Sequence, residues 1–135
     1  MKLIPVGKEK GAVDILYRLL SEREPSESIS HRSMPTLAEH RKFVRSNPYQ
    51  VWYLIQIDHV YVGACYISKQ REIGIGIFKE HRRKGHAAHA LQTMMSLWPG
   101  RFIANINPEN KKSVALFAEL GFKHIQNTYE RGYVD

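Results

Sequence analysis

Cysteine is almost missing: Cys65 is the only one in 135 residues, so no internal disulfide can form. It lies in an apolar run, where a lone cysteine packs as a small hydrophobe rather than reacting. Long apolar stretches are missing too. None approaches the roughly 18–20 residues that span a bilayer, and Met1 to Pro5 is too short for the apolar part of a signal peptide. A cytoplasmic protein with no membrane partner is expected. Neither Gly-x-x-x-x-Gly-Lys-Ser/Thr nor Gly-x-Gly-x-x-Gly occurs, which excludes a P-loop and a dinucleotide fingerprint. With no repeat, linker or low-complexity segment, residues 1–135 read as a single domain.

What is present is globular in composition, with 43% hydrophobic and 24% charged residues. Lysine and arginine number 20 against 13 acidic residues, a net charge of +7. That excess favours a polyanionic partner: a nucleic acid, an acidic surface or a phosphorylated cofactor. Of the seven histidines, His86 and His89 are three apart on one expected helix. No acidic or cysteine ligand accompanies them, so no metal is expected.

The periodicities alternate along the chain. Leu3 to Val6 reads as a strand, and Val13, Leu16, Tyr17 and Leu20 recur at helical spacing before Pro25. Glu24 to Met34 is a polar loop. Thr36 and Glu39 form a capping-box pattern opening a second helix, whose Leu37, Arg41 and Val44 share a face. Val51 to Ile57 and Val60 to Ser68 form a hairpin around Asp58-His59, and Glu72 to Phe78 adds a third antiparallel strand.

A helical stripe of Ala87, Leu91, Met94, Met95 and Trp98 follows, stopped by Pro99-Gly100. Arg101 to Ile106 reads as a strand. Asn107-Pro108 reads as an N-cap with proline at the first helical position, Gly121 closes that helix, and Phe122 to Tyr129 is a last strand. The expected fold class is α/β: a mixed, mainly antiparallel sheet flanked by helices, in the order β-α-α-β-β-β-α-β-α-β.

Two segments carry chemistry. Lys79 to Ala88 is a basic, glycine-containing loop between a strand and a helix. Arg82, Arg83, Lys84 and Gly85 there offer positive charge and unpaired backbone N–H groups to a pyrophosphate. Taken alone, the loop is equally readable as a solvated basic turn. The other segment runs from Asn107 to Ser113 and on to Leu120-Gly121-Phe122, with Asn107 explained by capping and Asn110 less readily so.

Together these segments resemble the GNAT superfamily of acyl-CoA N-acyltransferases. Arg82-x-x-Gly85-x-Ala87 is similar to its pyrophosphate signature, and Asn107-x-x-Asn110-x-x-Ser113-x-x-Leu116-Phe117-x-x-x-Gly121-Phe122 to its second motif. Glu72-Ile73-Gly74 looks like the branch that includes ribosomal-protein N-terminal acetyltransferases. Ile29-Ser30-His31-Arg32, with Glu39-His40 and Phe43, looks like acyltransferases of amino-sugar and surface-polysaccharide synthesis.

The resemblance implies acetyl-CoA as acyl donor and an amine as acceptor. It puts the pantetheine arm against the backbone of Ile75, Gly76 and Ile77, and the pyrophosphate on Arg83, Lys84, Gly85, His86, Ala87 and Ala88. Asn110 and Ser113 stand nearby, and the acceptor pocket falls to Glu24–Met34 and Asn127–Asp135. It also implies direct attack of a neutral amine on the thioester, with the Ile77 N–H facing the oxyanion and no covalent enzyme intermediate.

The tyrosine that many members use to protonate the leaving thiolate is Phe117 here. Tyr129 is the expected substitute acid and Glu72 the expected base, Glu72 sharing strand parity with Gly74 and Gly76, whose missing side chains leave space. A surface ion pair of Glu72 with Arg71 or Lys69 is the competing reading. A degenerate module that binds acetyl-CoA or nucleic acid without transferring anything is the competing function. Nucleic acid is disfavoured because the cations cluster in one loop, with no aromatic neighbour except Phe78. Only six residues follow Tyr129, which leaves a sheet edge uncovered and makes a homodimer the expected assembly.

Overall fold

A computed structural model describes residues 1–28 and 33–132. Four strands, β1 (Lys2–Pro5), β2 (Val51–Ile57), β3 (Val60–Ile67) and β4 (Ile73–Ile77), form an antiparallel sheet in the order β1-β2-β3-β4. Helices α1 (Ala12–Ser21) and α2 (Leu37–Arg45) separate β1 from β2, and α3 (His86–Leu97) and α4 (Lys111–Glu119) follow β4. The fold is thus mixed α/β, with helices on both faces of the sheet.

Strand alternation decides which helices each face receives. Ile55, Cys65, Ile67, Ile73 and Ile77 turn to one face and pack with Ala90, Leu91 and Met94 of α3 and Phe117 of α4. Leu54 and Ala64 turn to the other face and pack with Ala12 and Leu16 of α1. Leu91 and Met94 are fully buried, each worth about 1.5–3 kcal/mol relative to exposure. Cys65 is fully buried as well, and burial pushes its thiol up to about 12, so it is inert packing.

The turns follow local chemistry. Asp58 and His59 both take positive φ, at 47° and 67°, as a two-residue hairpin of the right twist requires. Thr36 and Glu39 make the capping box reciprocally, at 3.1 and 2.9 Å. Helix α4 ends in a Schellman motif: Gly121 (φ 92°) donates to Ala118 and Phe122 to Phe117.

Three expectations are corrected. On α2 the buried residue is His40 rather than Leu37, which is 38% exposed. Arg101 to Ile106 does not become a strand: it makes one parallel bridge, Glu72 with Ile103, through bonds of 2.8 and 3.0 Å. Arg71 holds the segment's start, donating to the carbonyls of Trp98 and Arg101, and beyond Ile103 the backbone leaves β4. Phe102, Ala104 and Ile106 still pack on the core, so the periodicity reported burial and not pairing. Phe122 to Tyr129 is no strand either, because the edge it would pair with is not built; Ile125 is 65% and Tyr129 88% exposed.

Candidate active site

The divergence of residues 104–106 from β4 leaves one sheet edge open. Ile73 donates outward to Ile103 and Phe78 inward to Val62, so by alternation the N–H groups of Ile75 and Ile77 also face outward. Among the described residues no strand pairs with that stretch. It borders a cleft of about 1040 Å³ that runs from the start of α3 to the space between α1, α2 and the sheet.

At the α3 end, Gly85 is the N-cap residue with φ 79°, a left-handed conformation that glycine adopts without strain. No side chain caps this helix, and its first internal bond is from His89 to Gly85, so the N–H groups of His86, Ala87 and Ala88 are left for a ligand. A β-carbon on Gly85 would meet nothing within 4 Å. Arg83 and Lys84 are exposed beside this terminus and line the cleft. Burial, then Lys84, His81 and His89, hold the His86 imidazole below its ordinary pKa, so it is neutral at pH 7.

Arg82 has other partners. Its Nε donates to the Ile77 carbonyl at 3.0 Å and its Nη1 lies 3.0 Å from Glu27 Oε2. It fastens the end of β4 to the segment after α1, where Lys79 adds an ion pair to Glu24. The capping role expected of Asn107 falls to Asn110. Asn110 is the N-cap of α4, accepting from the Ser113 N–H at 3.2 Å, and both residues line the cleft. Asn107 faces away from it, accepting from Glu109 and donating to the Ser28 carbonyl at 2.8 Å.

The expected catalytic pair is not brought into the cleft. The Glu72 carboxylate accepts from Asn105 and from Ser68, so it ties residue 105 to the start of β4 rather than pairing with Arg71 or Lys69. Tyr129 projects into solvent, because no strand carries it back. Phe117 is buried against Phe122. The space expected above the β4 glycines is filled: a β-carbon on Gly74 would lie 2.1 Å from the Tyr66 ring, and one on Gly76 3.3 Å from Leu19.

The far end of the cleft was not anticipated. Tyr49 stacks on Tyr66 with centroids 4.0 Å apart and planes 9° apart, while Trp52 and Phe43 meet Tyr49 edge-on at 4.7 and 5.8 Å. Burial raises both phenols, so they stay protonated. Strand parity was the available signal, since Trp52 and Tyr66 share the face of Leu54, Ala64 and Gly74. The motif-bearing residues 29–32 lie outside the described residues.

His40 lies among these groups, only 5% exposed, with its Nε2 buried and unbonded among the described residues. Burial holds its pKa below the usual value, against a bond toward the Val13 backbone. A histidine depressed on folding takes up a proton in the unfolded chain first. Its stabilising contribution is therefore complete above the unfolded pKa of about 6.5 and shrinks as pH falls toward the folded value. The gap in thermal midpoint between the wild type and His40→Gln should narrow on acidification from about pH 7.5 to about pH 5; a gap constant with pH would mean that His40 is not held neutral.

The sequence matches the family model of the acetyltransferase (GNAT) domain over residues 2–123. No curated protein matches it in sequence. Among solved structures it is similar to the ribosomal-protein-alanine N-acetyltransferase of Brucella melitensis, at 14% identity and TM-score 0.75, covering 93% of this chain and 86% of that one. It is similar to an aminoglycoside 6'-N-acetyltransferase of Acinetobacter haemolyticus, at 17% identity and TM-score 0.72 with 100% of both chains covered. A mutant spermidine N-acetyltransferase of Vibrio cholerae aligns at 19% identity and TM-score 0.69, over 93% of this chain and 80% of that one. Those likenesses carry the fold alone, but the family match spans nearly the whole chain: this protein belongs to the GNAT acetyltransferase family.

Proposed function

We propose that the chain is an acetyl-CoA-dependent N-acetyltransferase that moves the acetyl group to a primary amine by direct attack. The observation that carries this reading is one cleft wall combining an uncapped helix N-terminus, flanked by Arg83 and Lys84, with the unpaired edge of β4. A pyrophosphate suits the first and an extended amide-bearing arm the second. Coenzyme A carries both, together with an activated acyl thioester.

In this reading the N–H groups of His86, Ala87 and Ala88 hold the pyrophosphate, with Gly85 leaving room for it. The outward backbone groups of Ile75 hold the arm. The Ile77 N–H donates to the oxygen that gains charge as the amine adds, and needs no reorganisation to do so. The Ile77 carbonyl is held by Arg82, which fixes the orientation of the peptide unit beyond it. Asn110 contributes its amide Nδ2, since its Oδ1 is engaged in the cap. No carboxylate or phenol of the expected pair reaches the cleft, so the amine's proton leaves through water.

Thiol release from acetyl-CoA should therefore be amine-dependent and saturable, and should rise from about pH 7 towards about pH 9 as the acceptor ammonium loses its proton. Calorimetric binding of acetyl-CoA with no thiol release across amines and pH would replace this function with that of a non-transferring binding module.

A further inference from the structure

The aromatic end of the cleft has a charge pattern that selects among amines. Phe43, Tyr49, Trp52 and Tyr66 make a continuous wall, and Arg23 stands at its rim. Arg23 lines the cleft with these rings, and its charge favours ionisation of both the Tyr49 and Tyr66 phenols while that of Glu72 opposes it. Among the described residues it forms no ion pair. Of the carboxylates lining the cleft, Glu27 is engaged by Arg82 and Glu39 by the Thr36 N–H of its own helix cap, while Glu119 belongs to α4, which packs on the other face of the sheet; Glu72, whose charge also reaches the phenols, is engaged by Asn105 and Ser68.

A site for a polyamine or an aminoglycoside needs unengaged carboxylates to receive several ammonium groups. Among the described residues this cleft offers no carboxylate without a partner at its aromatic end, and the chain carries a net charge of +7. An anionic group, by contrast, finds at Arg23 an exposed guanidinium with no ion pair among the described residues, where a charge-assisted bond adds affinity. An apolar or aromatic body finds flat ring surface.

We infer that the acceptor is a zwitterionic amine of the amino-acid type: an amino group for acetylation, a carboxylate for Arg23, and an aromatic or large apolar body for the wall of Phe43, Tyr49, Trp52 and Tyr66. This rests on the acetyltransferase reading for the transfer step but not for the binding preference.

The test uses matched acceptors on the full chain with saturating acetyl-CoA. L-Phenylalanine has ring and carboxylate, 2-phenylethylamine the ring alone, and L-alanine the carboxylate alone; spermidine is the polycation, and glucosamine 6-phosphate supplies an anion of the other kind. Phenylalanine should exceed phenylethylamine and alanine by about tenfold or more in kcat/KM. Arg23→Gln should bring its advantage over phenylethylamine close to one, and Arg23→Lys should keep part of it.

Preference for spermidine, or an advantage untouched by Arg23→Gln, overturns the inference. Better use of glucosamine 6-phosphate than of phenylalanine overturns the aromatic body. Ligand-observed NMR keeps the two readings apart. Arg23-dependent binding of phenylalanine without any acetyl transfer upholds this inference and removes the enzyme, whereas transfer confined to polyamines does the reverse.

Discussion

Gly85→Glu should weaken acetyl-CoA binding by about 100-fold or more in calorimetry, equivalent to about 2.7 kcal/mol. Gly85 stands at the positive end of α3, with three unpaired N–H groups following it. A carboxylate there competes for those donors and repels the pyrophosphate, removing charge-assisted bonds worth about 1.5–3 kcal/mol and reversing a helix-end term of about 0.3–1 kcal/mol. Since φ is 79°, any side chain adds left-handed strain, and Gly85→Asn is the control because asparagine tolerates that region. The asparagine variant should bind within a few-fold of wild type. A folded Gly85→Glu protein with unchanged affinity would remove the pyrophosphate from this helix end.

The second large effect concerns the sheet. A β-carbon on Gly63 would lie 2.1 Å from the Gly76 carbonyl oxygen and 3.0 Å from Ile77 Cα, both backbone atoms of the strand it pairs with. Ile77 Cδ1, 2.9 Å away, can turn aside but the two backbone atoms cannot, so Gly63→Ala must force β3 and β4 apart, at a cost of about 3 kcal/mol or more, the top of the range for overpacking. Gly74→Ala meets only the Tyr66 side chain, which can move without parting the strands but must leave its stack on Tyr49, so its cost should lie within about 1–3 kcal/mol. Urea titration of both variants gives the comparison. Equal losses would mean that β3 and β4 yield as readily as a tyrosine does.

These expectations also mark what the sequence could and could not convey. Local chemistry was legible: the Thr36–Glu39 box, the Asp58-His59 hairpin, the α3 stripe and the Gly121 terminator are decided within a few residues of chain. Pairing was not. Arg101 to Ile106 and Phe122 to Tyr129 alternate as strands do, but a strand also needs an edge within reach, and that depends on where distant segments run. The same limit explains the asparagines: Asn107-Pro108 has the local form of a helix start, yet Asn107 is drawn to Ser28 and Pro25, far away in sequence. Glu72 was read from parity correctly as to face, but its partner, Asn105, belongs to the segment whose course was not foreseen.

In the cleft, the uncapped start of α3 was legible because it consists of backbone and glycine at a helix start. The aromatic wall was less so. Tyr49, Trp52 and Tyr66 stand in apolar context where aromatic residues ordinarily read as core, and the side chain missing at Gly74 makes room for the Tyr66 ring itself.

The fastening of Arg82 to Glu27 and Lys79 to Glu24, with Asn107 on the Ser28 carbonyl, pins the chain just after α1. At the other end, Tyr17 donates to the Pro35 carbonyl at 2.8 Å and Thr36 opens α2. The chain is thus anchored at Ser28 and again at Pro35, and an insertion between the two would close a loop between fixed anchors. Lengthening such a loop costs only closure entropy, about 0.6 kcal/mol per doubling. A change of length between these anchors therefore leaves the start of α3 and the open edge of β4 where they stand.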